Sequence, residues 1–167
     1  MEQIQQECRL CRKSVPLSDS HFMPRALYRF VRSGAKLSPN AVVVSKTNSW
    51  LSSRQVSDYV FCAECEALLN EGGEQWVLAN CWRGGASFKL RDSLRRSEPS
   101  LGKSGMLVFE ASQIPSIQVT KLVYFASSII WRASIHIWKY EGHQLKTLDL
   151  GVGYQEEFRL YLLVLLR

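Results

Sequence analysis

The two Cys-x-x-Cys motifs of this chain, at Cys8 and Cys11 and at Cys62 and Cys65, constrain its fold more than any other feature. A spacer of two residues lets both sulfur atoms of a motif reach one metal ion, and four thiolates complete the tetrahedral coordination that zinc prefers. The pattern therefore predicts one structural zinc ion with no open position for a water molecule. Two buried cysteine pairs or a redox-active motif are the alternatives.

Length, composition and charge limit the class of protein. The chain has 167 residues, of which 46% are hydrophobic. This is enough for one domain with a buried core, and it excludes long disordered or fibrous segments. The 21 basic and 15 acidic side chains give a net charge of +6. Because an excess of positive charge favours polyanionic partners, we expect nucleic acid as a partner.

The cellular location is predicted from the distribution of apolar residues. Residues 1–7 are polar and no apolar run follows them, so a secretory signal is not expected. The most apolar window, residues 122–138, contains Arg132 and His136, whereas a membrane-spanning helix needs about 20 mostly apolar residues. We expect a soluble, cytoplasmic protein without a membrane segment. In such a reducing compartment, paired cysteines are usually metal ligands.

Strands and helices are predicted on both sides of the second motif. The β-branched run at 41–44 is typical of a strand, and residues 59–61 form a second strand that leads into Cys62. Pro24 is predicted to be the first residue of a helix, because its missing N–H would be unpaired there in any case. A short helix follows Cys65, and the pair Gly72-Gly73 is predicted to break it.

The chain is predicted to contain three segments. Residues 1–82 form the zinc domain, residues 83–104 form a basic linker or loop, and residues 105–167 form a C-terminal part that packs on the first. The predicted fold class is α+β, with an N-terminal zinc unit followed by a mixed, mainly helical part.

Within the C-terminal part, we predict a strand at 106–109 and helices at 119–140 and 158–167. Apolar residues at three- and four-residue spacing predict which face of the first of these helices is apolar. That face consists of Leu122, Ala126, Ile129, Ile130, Ala133 and Ile137.

Between the two cysteine motifs lies His21-x-x-Pro24, and Glu66 directly follows Cys65. With these residues the chain resembles the HNH (ββα-metal) nuclease superfamily, and more narrowly its zinc-stapled members. The resemblance covers roughly residues 8–76 and implies a treble-clef zinc unit. It also implies that His21 is the general base that activates water for attack on phosphorus, while one divalent ion holds the scissile phosphate.

Three positions differ from the pattern of that superfamily. Ser20 occupies the place of the usual aspartate ligand, with Asp19 one residue earlier, and Ser57 and Asp58 lie where an asparagine is usual. Glu66 occupies the place of the final histidine or asparagine. Asp58 and Glu66 carry the oxygen donors that Mg²⁺ and Mn²⁺ prefer, so the two residues are predicted to hold such an ion. The alternatives are an inactive site and carboxylates that simply face solvent.

Three functions are compatible with these patterns. The first is a metal-dependent nuclease that hydrolyses DNA, or RNA, with phosphates neutralised by Arg25, Arg29 and Arg32. The second is a catalytically silent zinc-finger module that binds nucleic acid or a protein partner, in which His21 caps a helix or fills a polar pocket. The third is a structural subunit whose C-terminal helices form a homo-oligomer or contact a protein partner.

Overall fold

The computed structural model describes residues 5–28, 41–44, 47–81, 88–103 and 105–164. Within these residues, short antiparallel strand pairs alternate with helices. The predicted α+β fold class is therefore confirmed.

The described strands are short, and each pairs with one other strand. Four of the five pairs are formed by strands that follow one another along the chain, and the fifth joins β3 to β6 across a longer connection. The pairs are β1 (Gln6–Glu7) with β2 (Ser14–Val15), β3 (Ser18–His21) with β6 (Ser57–Phe61), β4 (Ala41–Val44) with β5 (Ser49–Ser52), β7 (Leu101–Lys103) with β8 (Met106–Val108), and β9 (Lys139–Tyr140) with β10 (His143–Gln144).

The helices of the described residues lie mainly after the second cysteine motif. A helical turn at 25–28 begins directly after Pro24, one residue later than predicted, and a 3₁₀ turn covers Ala111–Gln113. The α-helices are α1 (Ala63–Leu69), α2 (Gln75–Cys81), α3 (Lys89–Arg96), α4 (Val119–Ile135) and α5 (Gly151–Val164).

Two strand pairs bring the cysteine motifs together. The β1–β2 pair closes the turn that carries Cys8, and the N–H of Cys8 donates to the carbonyl of Lys13 across its base at 2.9 Å. From this turn, the N–H of Arg9 donates to the carbonyl of Val60 in β6 at 3.1 Å. Because β6 runs directly into Cys62, this contact places the first motif beside the second.

The core joins the N-terminal strands to the C-terminal helices. The ring of Phe61 at the end of β6 stacks on the ring of Trp131 in α4, with centroids 5.8 Å apart. Leu162 of α5 is also fully buried in this core. The C-terminal helices thus cover the part of the molecule that carries the cysteines.

The prediction that Gly72-Gly73 breaks the helix is wrong. One π-helical turn, Asn70–Glu74, connects α1 to α2, so the helix runs through both glycines. Both glycines are buried against α4, and a Cβ atom on Gly73 would lie only 2.7 Å from the carbonyl oxygen of Lys121. The glycines therefore permit close packing between two helices instead of ending one.

We expect Gly73→Ala to destabilise the protein by about 2 kcal/mol, because overpacking against a backbone atom forces α4 to move. Thermal unfolding followed by circular dichroism measures this effect. Gly153→Ala in α5 is the matched control, since nothing lies within 4 Å of its added Cβ. There the higher helix propensity of alanine should leave stability unchanged or raise it by up to about 1 kcal/mol. Equal effects of the two variants would contradict the packing argument.

The long helix α4 is shorter than predicted, and its apolar face is not its buried face. It ends at Ile135 instead of residue 140, because His136 adopts an extended conformation and the indole N–H of Trp138 donates to the carbonyl of Arg132 at 2.8 Å. None of the six residues of the predicted apolar face is buried. The buried face consists of Tyr124, Ser128, Trp131, Arg132 and Ser134.

The structure also differs from the predictions for the basic segment and for the start of the last helix. The basic segment is not simply a linker or loop, since its described part contains α3 and β7, whereas residues 82–87 lie outside the described residues. The last helix begins at Gly151, earlier than predicted, and residues 165–167 also lie outside. The domain boundaries at 82 and 104 stay predictions. None of the described helices has the length and apolar character needed to cross a membrane.

Candidate metal centre and adjoining cleft

The four cysteines of the two motifs form one cluster. Their Sγ atoms all lie within 4.8 Å of one another, and those of Cys11 and Cys62 are 3.9 Å apart. A zinc ion with Zn–S bonds of about 2.3 Å requires tetrahedral S···S distances of roughly 3.8 Å. Among the residues that the structure describes, this is the one group of three or more potential ligands close enough to share a metal ion. The cluster could hold a metal ion, as predicted.

Local backbone structure presents the sulfur atoms to one another. Cys8 precedes a tight turn in which Arg12 adopts a left-handed conformation, with φ of 61°. Cys62 is the N-cap residue of α1, and its N–H donates to the Sγ atom of Cys8 at 3.3 Å. Cys8, Cys62 and Cys65 are buried, and Cys11 is half-buried. A strand end and a helix start therefore supply one half of the cluster, and a turn supplies the other.

Electrostatics within the cluster favour a bound cation. A hydrogen bond from Cys65 lowers the pKa of Cys8 to about 4, which stabilises one thiolate. The same contact with Cys8, together with burial, raises the pKa of Cys65 well above its usual value. Four thiolates this close cannot all ionise unless a positive ion neutralises them. A divalent metal ion that prefers sulfur ligands meets this requirement.

A cleft lies beside β3, the strand that pairs with β6 next to the cysteine cluster. Asp19 and His21, two residues apart on β3, line it from the same side of the strand. Arg25 of the following helical turn and Arg54 of the β5–β6 connection line it as well, with Gln55 and Ser57. Arg54 also lies 3.7 Å from the carboxylate of Glu141. One imidazole, one carboxylate and two guanidinium groups therefore line the same cleft.

Behind the His21 strand lies a buried cluster of charged and polar side chains. Ser20 is fully buried, and its hydroxyl oxygen accepts a hydrogen bond from the N–H of Phe61 at 3.0 Å. Burial raises the pKa of Glu66, an effect that Ser20 and Arg132 partly offset. Glu74 forms an ion pair of 2.7 Å with Arg132. Glu66 therefore lies beside Ser20, on the side of β3 opposite to the cleft.

Asp58 lies apart from His21. In the β3–β6 pair His21 is opposite Ser57, whereas Asp58 is opposite Ser20, so His21 and Asp58 point to different sides of the strands. The Oδ2 atom of Asp58 lies 2.9 Å from Nε2 of His136. Burial would raise the pKa of Asp58, but the hydrogen bonds from His136 and from its neighbouring backbone N–H outweigh burial and lower it.

The predicted site residues are thus partly brought together. His21 and Arg25 share the cleft, Glu66 lies behind His21, and Asp58 is engaged by His136. Arg29 and Arg32 lie outside the described residues. Their predicted roles, and those of Asp58 and Glu66 as ligands of a divalent ion, stay predictions.

Sequence reasoning missed several residues near the site. Arg54 and Glu141 are not part of any motif, and their pairing depends on packing between the β5–β6 connection and the β9–β10 turn. Arg132 carried one signal, because an arginine in the middle of an apolar helix needs a buried counter-charge. The partner, Glu74, could not be named from that signal.

Comparison of the chain with protein-family models, with curated proteins and with solved structures finds no match. The fold and the site define it as an α+β protein with a four-cysteine cluster that could bind a metal ion.

Proposed function

We propose that this protein is a metal-dependent nuclease of HNH type that hydrolyses phosphodiester bonds of DNA, or of RNA, with a structural zinc ion bound by the four cysteines. The observation that carries the proposal is the cleft in which His21 lies beside Asp19, Arg25 and Arg54. A phosphodiester needs a base for the attacking water and positive charge for the phosphate oxygens, and these side chains can supply both.

Each group in the cleft has a role in this proposal. His21 accepts a proton from water as the water attacks phosphorus. Arg25 is exposed and can bind a phosphate oxygen, and Arg54 can do the same beside its contact with Glu141. The guanidinium groups would position the substrate, so their loss should weaken binding more than the chemical step.

The carboxylate of Asp19 fits the divalent ion that this chemistry uses. Mg²⁺ is commonly held by one or two carboxylates together with substrate phosphates and water, so a full set of protein ligands is not required. Such an ion, Mg²⁺ or Mn²⁺, stabilises negative charge on the leaving oxygen. Asp19 lies two residues before His21 in β3, so both side chains can face the same phosphate.

Cleavage of plasmid DNA, single-stranded DNA and RNA tests the proposal, with Mg²⁺, Mn²⁺ or no added divalent ion in the buffer. We expect cleavage that requires Mg²⁺ or Mn²⁺ and that His21→Ala slows by about 100-fold or more, because general-base catalysis contributes about that much. His143→Ala is the matched control, since His143 is an exposed histidine in β10 outside the cleft. It should leave the rate within about twofold of wild type. Absence of cleavage, or equal rates for His21→Ala and wild type, would refute the nuclease.

A catalytically silent zinc-finger module is the second candidate. Two positions favour it: Asp58 is hydrogen-bonded to His136, and Glu66 lies near Arg132. Neither carboxylate therefore lies beside the cleft that His21 lines. Outside the four cysteines, the described residues hold no further group of three close metal ligands. Such a module would bind nucleic acid through Arg25 and Arg54 without cleaving it. Salt-dependent binding without added divalent ions, and no cleavage in Mg²⁺ or Mn²⁺, would identify it.

A further inference from the structure

The side chain of Arg132 is the most deeply buried charge in the described part of the chain. Its residue is 1% exposed, although arginine is rarely buried without a partner. It lies on α4, far along the chain from the cleft residues. Burying a guanidinium costs desolvation free energy that its partners must offset, so its contacts indicate its role in the fold.

The guanidinium of Arg132 connects three separate elements. Its Nη2 atom donates to Oε1 of Glu74 at 2.7 Å, and its Nη1 atom donates to the backbone carbonyl of His21 at 3.2 Å. The Cζ atom lies 5.6 Å from the centre of the Phe61 ring. Helix α4 therefore holds His21, the last residue of β3, against the π-helical turn.

The backbone of Arg132 is fixed as well. The indole N–H of Trp138 donates to its carbonyl at 2.8 Å, and the Trp138 ring packs on Phe22, the residue after His21, with centroids 5.5 Å apart. The guanidinium of Arg132 therefore contacts His21 directly, and its carbonyl is linked through Trp138 to the side chain of the next residue, Phe22. Pairing with β6 holds the strand backbone of His21, and Arg132 holds its carbonyl, so the two contacts together limit the direction of the Cα–Cβ bond that carries the imidazole.

We propose that Arg132 is a positioning residue for His21: it orients the imidazole in the cleft through the backbone carbonyl of His21. The expected effect on kcat rests on the proposed nuclease function, whereas the expected orientation of the His21 imidazole does not. Lysine keeps the positive charge of Arg132 and lacks the planar fork that reaches Glu74 and His21 together. Arg132→Lys therefore separates orientation from charge.

Two measurements on the zinc-bound protein test the proposal. Well below its melting temperature, Arg132→Lys should lower kcat for cleavage about tenfold or more, with KM within about twofold, because a small misplacement of a catalytic group is costly. In NMR spectra, with imidazole signals assigned from His21→Ala and His143→Ala, the chemical shifts of the His21 imidazole should change, and those of the exposed His143 should not.

The outcomes distinguish this proposal from the proposed function. A folded Arg132→Lys variant with wild-type kcat and unchanged His21 signals would overturn the positioning role, even if its melting temperature fell. If the wild-type protein does not cleave nucleic acid, the nuclease fails, and the NMR shift alone decides the role of Arg132. Should Arg132→Lys not fold, Glu74→Gln provides the same NMR test, since it retains the arginine and removes the charge that holds it. Unchanged His21 signals in that variant would also overturn the proposal.

Discussion

Replacing Cys65 with serine is expected to abolish stoichiometric metal binding and to lower the melting temperature by about 10–20 °C. Structural zinc contributes about 10–16 kcal/mol of binding free energy in small zinc domains, and loss of roughly 5 kcal/mol shifts the melting temperature of a chain this long by that amount. Cys65 is buried in the core and belongs to the cysteine cluster, so its loss affects both the metal and the packing. Elemental analysis and thermal unfolding measure the two effects.

The chain contains its own control for this experiment. Cys81, at the end of α2, is half-buried and lies outside the cluster. Cys81→Ser should leave one zinc ion per chain and lower stability by about 1 kcal/mol. Treatment of the wild-type protein with a strong chelator should also lower the melting temperature, by the part of the Cys65→Ser effect that comes from loss of the metal. A folded wild-type protein that contains no metal would refute the metal centre.

Replacing Glu74 with methionine should destabilise the protein by about 3–5 kcal/mol, because it leaves the charge of Arg132 buried without its partner. The two side chains are 11% and 2% exposed, so water cannot take the place of the carboxylate. Methionine has a similar length, which limits the cavity that the substitution creates. Chemical unfolding with urea or guanidinium chloride measures the loss.

The neighbouring Glu71 provides the matched control. It lies on the same π-helical turn but is exposed, and only its backbone carbonyl accepts the bond from Lys121, so Glu71→Met should change stability by less than about 0.5 kcal/mol. The double variant Glu74→Met with Arg132→Met should lose less than the sum of the two single variants, since no unpaired charge remains. Additive losses would show that the ion pair is not coupled.

Local patterns predicted those elements that depend on local chemistry. The β-branched run of β4, the strand that leads into Cys62 and the helical turn after Pro24 all occur at or close to the predicted positions. The cysteine spacing also predicted the cluster, because a metal site of this kind needs little more than four sulfur atoms on two short segments.

Patterns failed where a choice depended on a distant partner. Gly72 and Gly73 suggested a helix break, but the aromatic ring of Tyr124 and the backbone of α4 pack against them. The apolar residues of α4 define one face of the helix, yet aromatic stacking with Phe61 and the ion pair with Glu74 place another face in the core. Periodicity identifies apolar faces, but it cannot say which of them meets the core of the protein.

The sequence by itself determined the mixed fold class and the four-cysteine cluster, and it singled out His21. Only the tertiary structure decided that His21 lies on a strand and which groups surround it: Asp19, Arg25 and Arg54 in front, and Glu66 and Arg132 behind. The physical reason is the sequence separation of the interacting residues. Thiol spacing and β-branching act over a few residues, whereas a buried charge is paired only when helices from different parts of the chain have packed together.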